Sequence, residues 1–140
     1  MKPKKDMIIE FLSLKEFGQR AIREIKIALK TGVPNIQPKN VIQFDSVTSF
    51  RGFMTLQKIE ILLMISNVKP KSIYELAKLL DRSLGAVQKD CDALARIRFI
   101  KLQKQKTGRG SITPKLAFDY DKIVVKLPKH PYELRFKAAA

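Results

Sequence analysis

The spacing of apolar residues predicts a strand and then a long helix near the start of the chain. Met7 to Leu12 is an apolar run of strand length, and Ser13 with Glu16 forms a capping-box pattern directly after it. Apolar residues then recur every three or four positions, at Leu14, Phe17, Ala21, Ile22, Ile25, Ala28 and Leu29. This spacing predicts an amphipathic helix over residues 14–30, which Gly32 ends.

Residues 35–54 predict only short elements. Asn35 to Asn40 has the composition of a linker, Val41 to Phe44 predicts a short strand, and Ser46 to Phe50 predicts a helical turn. We expect the aromatic residues of this half of the chain to serve core or dimer packing, namely Phe11, Phe17, Phe44, Phe50 and Phe53.

From Thr55 the pattern predicts two helices in close succession. Thr55 caps the first helix, which ends near Asn67 to Pro70 and whose apolar residues are Leu56, Ile59, Leu62 and Leu63. A second capping box over Ser72 to Glu75 starts a short helix with an apolar stripe of Ile73, Leu76, Ala77 and Leu80.

A third helix follows after only Asp81 and Arg82. Ser83 caps it, and the residues expected to face inward are Leu84, Val87, Cys91, Leu94 and Ile97. Two short helices joined by so brief a turn must cross steeply, which is the arrangement of a helix-turn-helix unit.

The pattern then changes to that of β-structure. Phe99, Ile100 and Leu102 begin a strand, the loop from Lys106 to Gly110 contains two glycines, and a second strand runs from Ile112 to Phe118. A hairpin directly after the third helix predicts the wing of a winged helix. A last strand over Ile123 to Leu127 is a candidate to pair with Met7 to Leu12.

Together these elements predict an α+β fold, a winged helix-turn-helix with an N-terminal strand and helix extension. We divide the chain into an extension over residues 1–54, expected to mediate dimerisation, a DNA-binding domain over 55–127 and a C-terminal tail over 128–140. We assign no function to the terminal Ala138, Ala139 and Ala140 or to His130, which we expect to be exposed.

The charge of the chain favours a polyanionic partner. Its 140 residues include 28 Lys and Arg against 13 Asp and Glu, for a formal net charge of +15. Residues 99–118 contain no acid and carry Lys101, Lys104, Lys106, Arg109 and Lys115. The third helix, by contrast, balances Lys89 and Arg96 against Asp90 and Asp92.

Several classes of protein are disfavoured by the composition. One cysteine and one histidine give neither an intramolecular disulfide nor a zinc site, and Cys91 is expected to be a core residue. No segment has the length of a membrane span or a signal peptide, so we expect a cytoplasmic protein without cofactors. We find no catalytic triad, carboxylate pair or phosphate loop and expect no enzymatic activity.

A family resemblance is carried by three segments, SIYELAKLLDRSLGAVQKDCDALARIRFIKL, then KTGRG and then DYDKIVVKL. They resemble the winged helix-turn-helix regulators of the MarR and ArsR type, and most of all a small prokaryotic group of predicted transcriptional regulators and antitoxins. The resemblance covers roughly residues 7–127. It implies a regulator that binds DNA as a homodimer and that represses its own operon as the antitoxin of a toxin protein. Relatives often carry polar residues where this chain has Gly85 and Ala86.

The predicted DNA contacts lie on the outward face of the third helix, around its start, and on the wing. An α-helix turns about 100° per residue, so Gly85, Ala86, Lys89 and Asp92 lie opposite the inward stripe, with Gln88 on the flank. The full set of predicted contacts is Ser72, Arg82, Ser83, Gly85, Ala86, Gln88, Lys89, Lys104, Lys106 and Arg109. Glycine costs about 1 kcal/mol in a helix, so Gly85 needs a reason, such as close approach to DNA.

Two alternatives stay open. The face of the third helix could be a solvated surface with intrahelical charge pairs, and Asp92 on it would repel phosphates. The winged helix could also be a scaffold that binds a protein partner and no DNA, because fold does not fix function.

Overall fold

A computed structural model describes residues 4–33, 38–105 and 111–127. In chain order its elements are β1 (Met7–Phe11), α1 (Leu14–Thr31), β2 (Val41–Phe44), α2 (Val47–Phe53), α3 (Leu56–Asn67), α4 (Ile73–Leu80), α5 (Leu84–Arg96), β3 (Ile100–Lys104), β4 (Ile112–Leu116) and β5 (Ile123–Val125). This is the predicted α+β winged helix-turn-helix with an N-terminal strand and helix extension.

The described residues form two compact units. The sheet unit contains residues 5–33, 38–53 and 122–127, and the winged-helix unit contains residues 54–105 and 111–121 together with Lys4. The predicted pairing of the last strand with the first is confirmed, since Met7 to Ile9 pair in parallel with β5. The sequence pattern groups residues 123–127 with the winged helix, but these hydrogen bonds place β5 in the sheet unit.

The sheet unit is built on a parallel three-stranded sheet in the order β2-β1-β5. Ile9 lies between Ile42 and Val125 in the register, and Met7, Ile9 and Ile42 are buried. Beside the sheet, the Phe50 ring lies edge-on to Phe11 and Phe44, with centroid distances of 5.9 and 5.2 Å. The expected aromatic packing is therefore present for these three residues.

Helix α1 belongs to the sheet unit but buries none of its residues. Ser13 caps it by accepting a hydrogen bond from the Glu16 amide at 3.2 Å, and Gly32 ends it at a left-handed φ of 74°. Arg20 on its polar side pairs with Glu10 of β1 at 2.9 Å. The apolar side of α1 is exposed along its length.

The winged-helix unit has one apolar core between its three helices and its hairpin. Its buried residues include Ile61, Leu62, Ile65, Ile73, Leu76, Ala77, Val87, Cys91, Leu94, Phe99 and Ile100. β3 and β4 form the antiparallel hairpin of the wing. Between α4 and α5, Asp81 takes a left-handed φ of 53°, a conformation that Asp tolerates better than most residues.

Two details of the predicted core were wrong. Leu84 was expected to face inward but is 47% exposed, because α5 meets the core only from Val87 onward. In α3 the buried face is Ile61, Leu62 and Ile65, while Leu56, Ile59 and Leu63 are exposed. Residues 61–65 of α3 are apolar at every position, so their periodicity does not identify the buried face.

Candidate nucleic-acid interface

The turn between α4 and α5 is held by Arg82 and Ser83. Ser83 caps α5, its Oγ accepting from the Ala86 amide at 3.3 Å. Arg82 donates from Nη2 to Oδ2 of Asp90 at 2.8 Å, across two turns of α5. The ion pair engages only one end of the guanidinium, since the buried Nη1 forms no hydrogen bond within the described residues. A phosphate contact by Arg82 therefore stays a prediction.

The outward face of α5 presents few free polar groups. Lys89, Asp92 and Arg96 are exposed, and Ala86 and Ala93 are half-buried. The Gln88 amide donates to Asp92 Oδ1 at 3.3 Å, so the two side chains engage each other. Among the predicted contacts on α5, Lys89 is therefore the long side chain that extends into solvent.

Gly85 is exposed at the start of this face. A Cβ built on it meets no atom within 4 Å, and its φ is not positive. Neither packing nor backbone conformation within the described residues therefore requires glycine, although glycine weakens a helix. The close approach of DNA expected at Gly85 stays a prediction.

Ser72 lies at the start of α4, next to the wing. Its Oγ accepts from the Glu75 amide at 3.0 Å, and Glu75 in turn accepts from the Lys71 amide at 3.2 Å. The Lys71 carbonyl accepts hydrogen bonds from Thr113 Oγ1 at 2.6 Å and Gln105 Nε2 at 2.7 Å. These bonds fix the start of α4 to both strands of the wing.

The structure thus gathers the predicted contacts into two groups. Arg82, Ser83, Gly85, Ala86, Gln88 and Lys89 share the turn and the first two turns of α5. Ser72 is joined through Lys71 to the end of β3, where Lys104 is exposed. Lys106 and Arg109 lie outside the described residues.

Leu84 and Tyr74 are surface residues that sequence reasoning missed. Both line a shallow cavity of about 440 Å³ beside the turn, which Lys78 and Ser83 also line. Tyr74 is 57% exposed, and the Lys78 Nζ lies 4.6 Å from the centroid of its ring. The exposure of Leu84 could have been predicted from the sequence. Leu84 directly follows the Ser83 cap, so it lies at the end of α5 before the first buried residue, Val87.

Cys91 is fully buried between charged neighbours. Burial, together with the Asp90 and Asp92 carboxylates, raises the pKa of its thiol to about 12, against an opposite and smaller effect of Arg82. At neutral pH the thiol is protonated and inaccessible, which is typical of a structural cysteine.

Two further kinds of site concern metal ions and membranes. No group of His, Cys, Asp and Glu side chains among the described residues is placed to hold a metal ion. In the same ranges, every helix is too short or too polar to cross a membrane.

Comparison with known proteins identifies one family. The protein-family model HVO_A0114 matches residues 53–125, a little over half of the chain. A solved structure titled "Structure of Disulfide formed AbfR" is 13% identical, with a TM-score of 0.42, and the match covers 74% of this chain and 67% of that one. No curated protein matches the sequence.

Proposed function

The chain belongs to the HVO_A0114 family, and we propose that this member is a sequence-specific double-stranded DNA-binding protein that regulates transcription. The observation that carries the proposal is the outward face of α5. This face exposes Gly85 in its first turn and Lys89 in its second, and Leu84 is exposed beside the face at the start of the helix. A helix of this kind, following a tight turn, has the dimensions to enter a major groove.

The two groups of residues have different tasks in this proposal. Lys89 donates to guanine O6 or N7 or to a phosphate. Ala86 on the outward face and Leu84 at the start of the helix each offer apolar contact to a thymine methyl group. Ser72 and Ser83 accept from backbone amides, so each hydroxyl keeps its hydrogen to donate to a phosphate oxygen. Lys104 binds a phosphate, and we propose the same for Lys106 and Arg109. Arg82 positions the turn through Asp90.

The test is a binding series on duplex DNA selected from a random pool, with the DNA upstream of the protein's own gene as a second substrate. We expect Lys104→Ala to weaken binding to all sequences alike and to reduce the salt slope by about 0.9. Lys89→Ala is expected to reduce discrimination between bases as well. Lys26→Ala on the sheet unit is the control. No binding by the wild type at low salt would contradict the proposal.

The regulator is further proposed to act as a homodimer through α1, which buries none of its own residues. A two-fold dimer binds a palindromic site whose half-sites are about 10 bp apart. The finer roles implied by the resemblance, a MarR-like repressor or the autorepressing antitoxin of a toxin, remain proposals that depend on this dimer. A reading frame for a small toxin next to the gene, and a stable complex with its product, would support the antitoxin role.

A protein-binding scaffold without DNA binding is the second candidate. Leu56, Ile59 and Leu63 form an exposed apolar stripe on α3, which favours a protein partner, and Asp92 disfavours DNA on α5. Stable co-purification with a neighbouring gene product, combined with no retardation of duplex DNA at low salt, would favour the scaffold. Neither candidate involves catalysis.

A further inference from the structure

A basic groove runs along the wing on the winged-helix unit. It has a volume of about 870 Å³ and is lined by Lys4, Lys69, Lys71, Lys101, Lys104 and Lys115. Among the described lining residues Asp119 is the one acid, and it is already paired with Lys4 at 3.3 Å. The lining therefore keeps a clear excess of positive charge.

Lys101 and Lys115 destabilise the wing, because their positive charges repel each other. They lie directly opposite each other on β3 and β4, where like charges destabilise a strand pair. Within the described residues neither lysine forms an ion pair, and both are exposed. An anionic partner between the two side chains would remove this repulsion.

The floor of the groove is held in place by hydrogen bonds. Thr113 and Gln105 both donate to the Lys71 carbonyl, and Ser111 donates to Gln105 Oε1 at 2.9 Å. The lysines thus extend from a fixed base formed by the segment before α4 and both wing strands. Because the base is already ordered, less conformational entropy is lost when a ligand binds.

The arrangement of the lysines suits a polyanion better than a single small anion. Lys101 and Lys115 share a face of the hairpin with Gln105, which lies four strand residues further along and binds the Lys71 carbonyl, whereas Lys104 alternates to the other face. Positive charge therefore extends over about 13 Å of this face, the rise of about four nucleotides along one DNA strand. At the Lys104 end the groove adjoins Lys71 and Ser72, and so continues the proposed DNA interface.

We propose that the groove binds the phosphate backbone of the duplex that flanks the sequence read by α5. The proposal rests on the proposed function, because the same duplex occupies both surfaces. Lys69, Lys101 and Lys115 bind consecutive phosphates without reading bases, so they lengthen the site and add affinity that is independent of sequence.

The test compares two triple variants on two duplexes. Lys69→Gln, Lys101→Gln and Lys115→Gln are combined in the groove variant, and Lys26→Gln, Lys30→Gln and Lys39→Gln, all exposed residues of the sheet unit, form a control of equal charge. One duplex is a selected sequence with long flanks, and the other is trimmed to the bases that set specificity. Binding is measured by fluorescence anisotropy over a salt series.

On the long duplex we expect the plot of log affinity against log salt to be shallower by about 2.7 for the groove variant than for the wild type. Over a fourfold rise in salt, the groove variant should therefore lose roughly 40-fold less affinity than the wild type. The control variant should keep the wild-type slope, and trimming the flanks should weaken the wild type but not the groove variant. Preference among selected sequences should stay unchanged. If the wild type binds DNA and the groove variant keeps its slope and its dependence on length, the groove proposal is wrong. If the wild type binds no duplex, the proposed function fails and the groove proposal with it.

Discussion

The Arg82 guanidinium and the Asp90 carboxylate form an ion pair of 2.8 Å that links the turn before α5 to the second turn of the helix. Their side chains are only 23% and 20% exposed, so water competes weakly for either partner. The pair fixes how α5 leaves the turn. It also engages the arginine that the sequence analysis assigned to a DNA phosphate.

Replacing Arg82 should therefore reduce stability more than it changes DNA binding. Arg82→Ala leaves the Asp90 carboxylate without its partner, and hydrogen bonds to charged groups contribute about 1.5 to 3 kcal/mol. We expect a loss of this size in the free energy of unfolding, measured with urea. The salt slope of DNA binding should stay the same.

The control for this pair is Asp90→Ala together with the double variant. Because both single changes break the same ion pair, the double variant should cost less than the sum of the two. A salt slope reduced by about 0.9 in Arg82→Ala would instead show that Arg82 binds a phosphate.

Gly85 should show opposite effects on stability and on binding. Gly85→Ala adds a methyl group in open space and removes a helix-weakening residue, so the free energy of unfolding should rise by up to about 1 kcal/mol. If DNA approaches the backbone here, the same methyl group should lower DNA affinity. Gly52→Ala, also helical and open, is the control for the stability effect alone. Unchanged DNA affinity in Gly85→Ala would contradict the close approach of DNA to the backbone at Gly85.

The sequence predicted the element order because the local signals agreed with the fold. Ser13, Thr55, Ser72 and Ser83 each precede an apolar stripe, and each accepts a hydrogen bond as the cap of the predicted helix. The pairing of β5 with β1 was a suggestion based on strand composition alone. It joins segments more than 100 residues apart in the chain, which no local pattern can specify.

Side-chain contacts within the candidate site were harder to predict. Periodicity places Arg82 and Asp90 near each other only if the turn geometry is known, and that geometry depends on the left-handed Asp81. The groove likewise depends on the register that sets Lys101 opposite Lys115 and on the bonds to the Lys71 carbonyl. The absence of acids from residues 99–118 indicated a positively charged surface, but it did not indicate that this surface forms a groove.

Leu84 should make DNA binding sensitive to thymine methyl groups. It is exposed at the first position of α5, where apolar contact with a thymine methyl is possible. We expect deoxyuridine in place of individual thymines of a selected duplex to weaken wild-type binding at one or two positions. Leu84→Ala should weaken binding to the thymine duplex and lose this sensitivity. Equal binding of thymine and uracil duplexes by the wild type would contradict a role for Leu84.

Cys91 should contribute to stability in a pH-dependent way. Burial raises the pKa of its thiol from 9.0 to about 12, so above pH 9 the unfolded chain releases a proton that the folded chain retains. The stabilisation is complete below pH 9 and is lost as the pH rises towards 12. The stability difference between wild type and Cys91→Ala should therefore fall by up to about 1.4 kcal/mol per pH unit above pH 9.

Urea denaturation of wild type and Cys91→Ala at several pH values measures this difference. Alkylation by iodoacetamide at pH 8 is a second measurement, and it should be slow in the folded protein and faster in Arg82→Ala. Rapid alkylation of the folded wild type would show that the thiol is accessible.

The orientation of α1 predicts where two copies of the chain meet. Arg20 on the polar side of the helix pairs with Glu10 on the helix's own sheet, while Ile25 on the opposite side is 58% exposed. An amphipathic helix whose apolar side is uncovered gains stability by pairing with the same helix of a second copy.

Ile25→Glu should therefore convert a dimer to a monomer, because the carboxylate would have to be buried between two apolar surfaces. Ile27 is 47% exposed but lies about 200° around the helix from Ile25, so Ile27→Glu is a control that should leave the dimer intact. Sedimentation equilibrium gives the mass of each variant. The monomer should also bind a palindromic site more weakly than the wild type, while its affinity for a single half-site stays the same. If Ile25→Glu and Ile27→Glu have the same mass as the wild type, α1 is not the dimer interface.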